Sequence, residues 1–130
     1  MLESEIIKIL KSKRFSLYNE KKLQEEIDAA FIQHNIPATR EYRFNAKDIC
    51  DFFINGICLE INISGSAKAI YRQLERYADH AEVTSIILAT NRTMGLPETI
   101  NNSSLCLVKH LFCFNCGTSI KILNSDKLAS

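Results

Sequence analysis

The chain carries only two prolines and four glycines in 130 residues, and it has no internal repeat, no low-complexity tract and no Gly/Ser/Pro-rich linker. A single domain over 1–130 is therefore expected, long enough to bury an ordinary core without disulfide staples. No apolar run approaches the roughly 20 residues that span a bilayer. The start, "MLESEIIKILKSKR", is charged and amphipathic where a secretory leader would be apolar. The expectation is a cytoplasmic protein with no membrane partner. Charge of one sign is also lacking: the net value is +1, so no general basicity points to nucleic acid. The five cysteines are an odd number without a leader, which argues for reduced thiols over a disulfide framework.

What is present is the composition of a globular domain. Lys8, Lys11, Lys13, Arg14, Lys21 and Lys22 crowd the first two dozen residues, and the ordinary reading of such a run is a solvated helix face. Helical spacing predicts a short helix over 3–12 and a second over 20–35, capped at Ser16 or Asn19. The second buries Leu23, Ile27, Ala30 and Phe31 and is stopped by Pro37. "TREYRF" (39–44) alternates as a strand. "SGSAKAIYRQLERYADHA" opens on a Ser cap, Ser64 or Ser66, and sets Ile70, Leu74, Tyr77 and Ala78 on one stripe. "EVTSIILAT" reads as a buried central strand, "NRTMGLPETINNSS" as loop, and "LCLVKHLFCFNCGTSIKIL" as two closing strands.

Between these lies "DFFINGICLEIN" (51–62), an alternating run that turns at Asn55-Gly56, the strongest short-range hairpin signal. Counting outward from Ile54 and Ile57 puts Asp51 opposite Glu60, where like charges about 5 Å apart are destabilising. Phe52, Ile54, Ile57, Leu59 and Ile61 share the core face, and Asp51, Phe53, Cys58, Glu60 and Asn62 the other. A divalent cation between the carboxylates would offset their repulsion, since Mg²⁺ takes oxygen ligands, typically one or two carboxylates with water and substrate phosphate. Paired acids at a solvated sheet edge would look the same. Glu26 and Gln73 flank the apolar stripes of their helices, with Arg76 on the Gln73 side. Two helices packed on the sheet could aim all three toward the acids, although polar flanks are often only the rim of an amphipathic helix.

The stretch "DFFINGICLEINISGSAKAIYRQLERYADHAEVTSIILATN" resembles the core of the PD-(D/E)xK nuclease superfamily, nearest its Holliday-junction-resolvase-like and phage-type members. The resemblance runs from Asp51, through Glu60 nine residues on, to the Gly65-Ser66 helix start and "RQLERY". It extends back through Glu26 and covers about 20–92. It implies an α/β, restriction-endonuclease-like core, a mixed sheet flanked by helices in the order α-α-β-β-β-α-β-β-β. Asp51, Glu60 and the Ile61 carbonyl would bind Mg²⁺ or Mn²⁺. Glu26 would match the acid of the family's first helix, and Gln73 the Gln of its second core helix with Tyr77 beneath. The implied chemistry is in-line hydrolysis of DNA phosphodiesters, in which the cation activates water and stabilises the leaving oxygen. Branched or structured DNA is the implied substrate, with Arg72, Arg76, Lys13 and Arg14 on phosphates, no small-molecule cofactor, and a homodimer in keeping with resolvase relatives.

The sequence departs from the pattern at Asn62, where the family carries Lys. Asn donates a hydrogen bond but brings no charge, which weakens electrostatic stabilisation. Lys68 turns almost opposite to Gln73 and is a poor substitute, and the direction of Lys47 is not legible. The alternative function is thus a weak or inactive nuclease-fold protein that binds nucleic acid or a protein partner. Cys106, His110, Cys113 and Cys116 have enough ligands for zinc, but the segment alternates like a strand, and free cysteines are commonly core. Cys113 and Cys116 do not open a helix as redox pairs usually do. His34 and His80 read as core or rim residues.

Overall fold

Helical periodicity in the first third of the chain produces two helices that bury one stripe each. In the computed structural model, which describes residues 2–91, 108–114 and 119–121, α1 is Leu2–Lys11 and α2 is Glu20–Gln33. The α1 helix buries Ile6, Ile7, Ile9 and Leu10. The α2 helix starts where Asn19, in extended conformation, accepts the Lys22 N–H through its side chain, satisfying one of the free donors of the first turn. It ends at His34, whose ring nitrogen Nδ1 lies 2.9 Å from the Ala30 carbonyl. Asn35 follows with φ of 58°, a left-handed residue of the kind that closes helices. His34 is therefore an exposed rim residue and not a core one.

The strands are β1 (Thr39–Arg43), β2 (Ile49–Ile54), β3 (Ile57–Asn62), β4 (Ser85–Thr90), β5 (Val108–Cys113) and β6 (Ser119–Lys121), with α3 (Ala67–Ala78) between β3 and β4. The element order is the expected one. The strands form a six-stranded sheet in sequence order, β1 to β6. Pairing is antiparallel for β1–β2, β2–β3 and β5–β6, and parallel for β3–β4 and β4–β5, so the sheet is mixed. Ser66 caps α3 by accepting the Ala69 N–H. The β4 strand begins three residues later than its sequence suggests because the Thr84 and Ser85 N–H groups bond the Gly56 carbonyl of the hairpin turn.

That turn has φ of 47° at Asn55 and 88° at Gly56, the double left-handed geometry that matches strand twist in a two-residue hairpin. A Cβ on Gly56 would sit 2.6 Å from Thr84 Oγ1, so glycine is needed here for space as well as for φ. The register pairs Ile54 with Ile57, Phe53 with Cys58 and Phe52 with Leu59, as counted from the sequence.

Both faces of the sheet are covered. On one, α1 and α2 pack on Phe52, Ile54, Ile57, Leu59, Ile61, Ile87, Ala89 and Phe112. On the other, Ile70, Leu74 and Tyr77 of α3 pack on Cys50, Cys58, Ile86 and Leu88. Each fully buried large apolar side chain contributes about 1.5–3 kcal/mol, so these two layers set where α2 and α3 lie. Among the described residues, no helix is long and apolar enough to cross a membrane.

Candidate functional site

Strand alternation fails at one level of the sheet. Phe52 faces α1 and α2, so Cys50, two residues away, should do the same; instead it joins Cys58 under α3. The neighbouring strand does likewise. Arg40 pairs with Phe52 and Tyr42 with Cys50, and Tyr42 stacks on Phe53 at 4.3 Å on the α3 side. Between them Glu41 has φ of 52°, a strained value for a non-glycine strand residue. The distortion falls at Glu41 and Asp51.

Freed from strict alternation, the Asp51 carboxylate turns into the gap between β2 and β3. Its Oδ2 accepts the Ile61 N–H at 2.7 Å and its Oδ1 accepts from Gln24 Nε2 at 3.1 Å. Regular β3 keeps Glu60 on the Cys58 side, and Glu60 Oε1 lies 3.4 Å from the Asp51 backbone N–H. The two acids that the hairpin count set opposite each other thus meet around one gap, with Asp51 in the plane of the sheet and not on the face with Phe53. The Ile61 carbonyl borders the same gap, because a strand residue's N–H and C=O point to the same edge.

Burial is the main force on these groups. It raises the Asp51 carboxyl to about 7; the Ile61 N–H opposes the rise, Glu20 and Glu41 add to it, and Arg40 opposes it. Glu60 is buried and is pushed well above the usual carboxylate range, first by burial and then by Asp51. Tyr77 lies beneath. Its hydroxyl donates to the Ile49 carbonyl at 2.6 Å and accepts from Gln73 Nε2 at 3.0 Å, and burial, with Glu60 next, raises its ionisation.

The other residues singled out in the sequence are distributed differently. Glu26 accepts the Ser16 N–H and hydroxyl at 2.8 and 2.9 Å, the first of which lowers its pKa most; it fastens the segment before α2. Because α2 and α3 cover opposite faces, Glu26 and Gln73 do not converge. Arg76 Nε binds Asp48 Oδ1 at 3.0 Å, joined by His80 Nε2 at 2.9 Å from Asp48 Oδ2, and His80 stacks on Phe44 at 4.6 Å. Asn62 Oδ1 accepts the N–H groups of Ser64 and Gly65 and so builds the turn into α3. Lys13 and Arg14 are exposed after α1, Arg72 is exposed on α3, and the Arg76 side chain is 54% exposed. Cys113 is buried and free, while Cys106, Cys116 and the side chain of His110 lie outside the described residues.

Two residues at the acids were missed. Gln24 bonds Asp51, and Glu20, whose Oε1 accepts the Ile63 N–H at 3.3 Å, acts electrostatically on both acids. A signal existed: at 100° per residue Glu20 falls inside the arc of Ile27 and Phe31, a charge within the apolar stripe.

The donor set is two carboxylates and a carbonyl. Among the described residues, no group of three or more His, Cys, Asp or Glu side chains could hold a metal ion. That set does not suit a tight structural site, which needs a full protein cage. It does suit Mg²⁺, which keeps waters and completes its shell with substrate phosphate. No protein-family model, no curated protein and no solved structure matches the chain.

Proposed function

We infer that the protein is a metal-dependent DNA endonuclease that hydrolyses phosphodiester bonds with its centre at Asp51 and Glu60. The observation that carries this reading is the convergence of two carboxylates, buried Glu60 and half-buried Asp51, on one gap beside the Ile61 carbonyl. Two such groups, both with raised pKa, are unstable as a free dianion and are relieved by a cation or a proton. Asp51, Glu60 and the Ile61 carbonyl would hold Mg²⁺ or Mn²⁺. When bound, the cation supplies Lewis-acid polarisation of the phosphodiester and activation of water. Gln24 orients Asp51 by its hydrogen bond, and Gln73 fixes the Tyr77 hydroxyl under the site. Exposed Lys13, Arg14, Arg72 and the free end of Arg76 are suited to phosphate contacts that position DNA. Branched or structured DNA is the substrate class implied by the sequence resemblance, and a homodimer the assembly.

The test is incubation of the purified protein with linear and branched DNA in Mg²⁺ or Mn²⁺, beside an Asp51→Ala control and a chelated sample. Cleavage by wild type alone supports the reading; equal inertness of wild type and control ends it.

Asn62 favours a second reading, a nuclease-fold protein that binds DNA without cutting it. Its side-chain oxygen is committed to the Ser64 and Gly65 N–H groups, and it has no charge to offer. Cutting gained by Asn62→Lys would identify a silenced site. That substitution also removes two turn bonds, so folding of the variant is checked alongside.

A further inference from the structure

With a cation bound, the gap is walled by three carboxylates: Asp51, Glu60 and Glu20 all bear on it. A divalent cation balances Asp51 and Glu60 but leaves Glu20 to repel a phosphodiester, itself an anion, brought to the gap. Position 62 offers no positive charge. The neighbouring edge strand does.

Arg40 lies on β1, at the edge of the sheet, as the direct partner of Phe52 and one residue from the level of Asp51. Sharing the face of Phe52, it is on the α2 side, where Gln24 reaches Asp51. Its charge is felt at Asp51. Among the described residues it makes no ion pair, and its Nε is a buried donor without a hydrogen-bond partner. Buried donors are rarely left so, because the lost hydration is not recovered. A guanidinium also presents its two terminal nitrogens as a fork that fits two phosphate oxygens.

We propose that Arg40 binds the DNA phosphate at the acid pair through the terminal N–H groups of its half-buried side chain, its charge standing in for the cation absent at Asn62. The proposal rests on the nuclease reading for the phosphate's chemical role, but the contact itself is measurable without cleavage.

The experiment compares wild type, Arg40→Lys and Arg40→Met. DNA affinity is measured at several salt concentrations in Ca²⁺, cleavage in Mn²⁺, and Mn²⁺ affinity by calorimetry, with thermal unfolding of each variant. Loss of one phosphate contact in Arg40→Met lowers the salt slope by about 1. The cleavage kcat falls about 100-fold, as for removal of one preorganised donor. Mn²⁺ binds as tightly as before or tighter, and Arg40→Lys recovers part of the rate and the slope. An unchanged salt slope in a folded Arg40→Met protein overturns the proposal, as does lost Mn²⁺ binding, which would mark a merely structural role. If wild type never cleaves but the slope still drops, the nuclease reading falls and the Arg40 contact stands. If wild type cleaves and the slope is unaltered in the variant, the nuclease reading stands and the Arg40 contact falls.

Discussion

Asp51 takes the Ile61 N–H at 2.7 Å, a donor that the β2–β3 ladder would otherwise have used. The paired residues stop at Phe52 and Leu59, and the next bonded rung of an antiparallel ladder would have been Cys50 with Ile61. A carboxylate therefore replaces a backbone carbonyl, and the strands part where Glu60 arrives. The sheet obtains a polar gap in its interior at the expense of one rung and a strained Glu41.

Because Asp51 serves as acceptor and as a half-buried charge, the two roles separate in Asp51→Asn. The amide oxygen still accepts from Ile61, while the charge held unfavourably by burial is gone. Without divalent cations at about pH 8, the variant is expected to be more stable than wild type by on the order of 2 kcal/mol, with DNA cleavage lost. Denaturant unfolding beside a cleavage assay checks both. A variant less stable than wild type would show that the Asp51 charge is already compensated within the chain.

Asp48 holds α3 to the loop before β2 through Arg76 and His80, and His80 first, with Arg76, lowers its pKa. Asp48→Ala strips both partners and leaves the Phe44–His80 stack without its tether. The expected loss is about 2 kcal/mol, the range for hydrogen bonds to charged groups, reduced on the Arg76 side because that side chain is half exposed. Since Asp48 lies apart from the acid pair, Mn²⁺ affinity should not change. Unfolding and metal titration on the same sample separate the two effects.

The helices and the hairpin were legible because their signals are local. Leu23, Ile27 and Phe31 recur at helical spacing, and Asn55-Gly56 fixes the register that opposes Asp51 to Glu60. What was not legible depends on three dimensions. Nothing around Glu41 announces a left-handed residue, so the face switch that carries Asp51 into the sheet is invisible to a period-2 count. Glu20 was legible as a charge inside the α2 stripe, but that it, and not the flanking Glu26, meets the end of β3 depends on how the helix lies on the sheet. Asp48, Arg76 and His80 come from separate segments, and no spacing rule joins them.

Gly56 is constrained twice, by φ of 88° and by Thr84 Oγ1. Gly56→Ala should cost roughly 1–3 kcal/mol, the scale of backbone strain at a non-glycine residue in a disfavoured region. Combining it with Thr84→Ala should recover only the steric part, since the φ penalty remains. A double-mutant cycle by thermal unfolding measures the split. Full recovery in the double variant would assign the whole cost to the close approach.

The pH dependence of the metal-free protein follows from the direction of the acid shifts. An unfolded carboxyl titrates near 4, whereas folded Asp51 is raised to about 7 and Glu60 is raised as well. Between these values the folded state binds more protons than the unfolded one. The contribution of these groups is therefore fully present below about pH 4 and is lost as pH rises through about 7. Asp48 and Glu26 are lowered and act oppositely, their stabilisation disappearing as pH falls below the usual carboxylate range. With chelator present, Tm should therefore decline from about pH 5.5 to about pH 8, and the decline should flatten in Asp51→Asn. Added Mg²⁺ should raise Tm more at the higher pH, because a cation competes with protons for the same oxygens. Thermal scans across pH, with and without Mg²⁺, make the comparison. An equal Mg²⁺ effect at both ends, or one that survives Asp51→Asn, would mean the cation binds elsewhere on the chain.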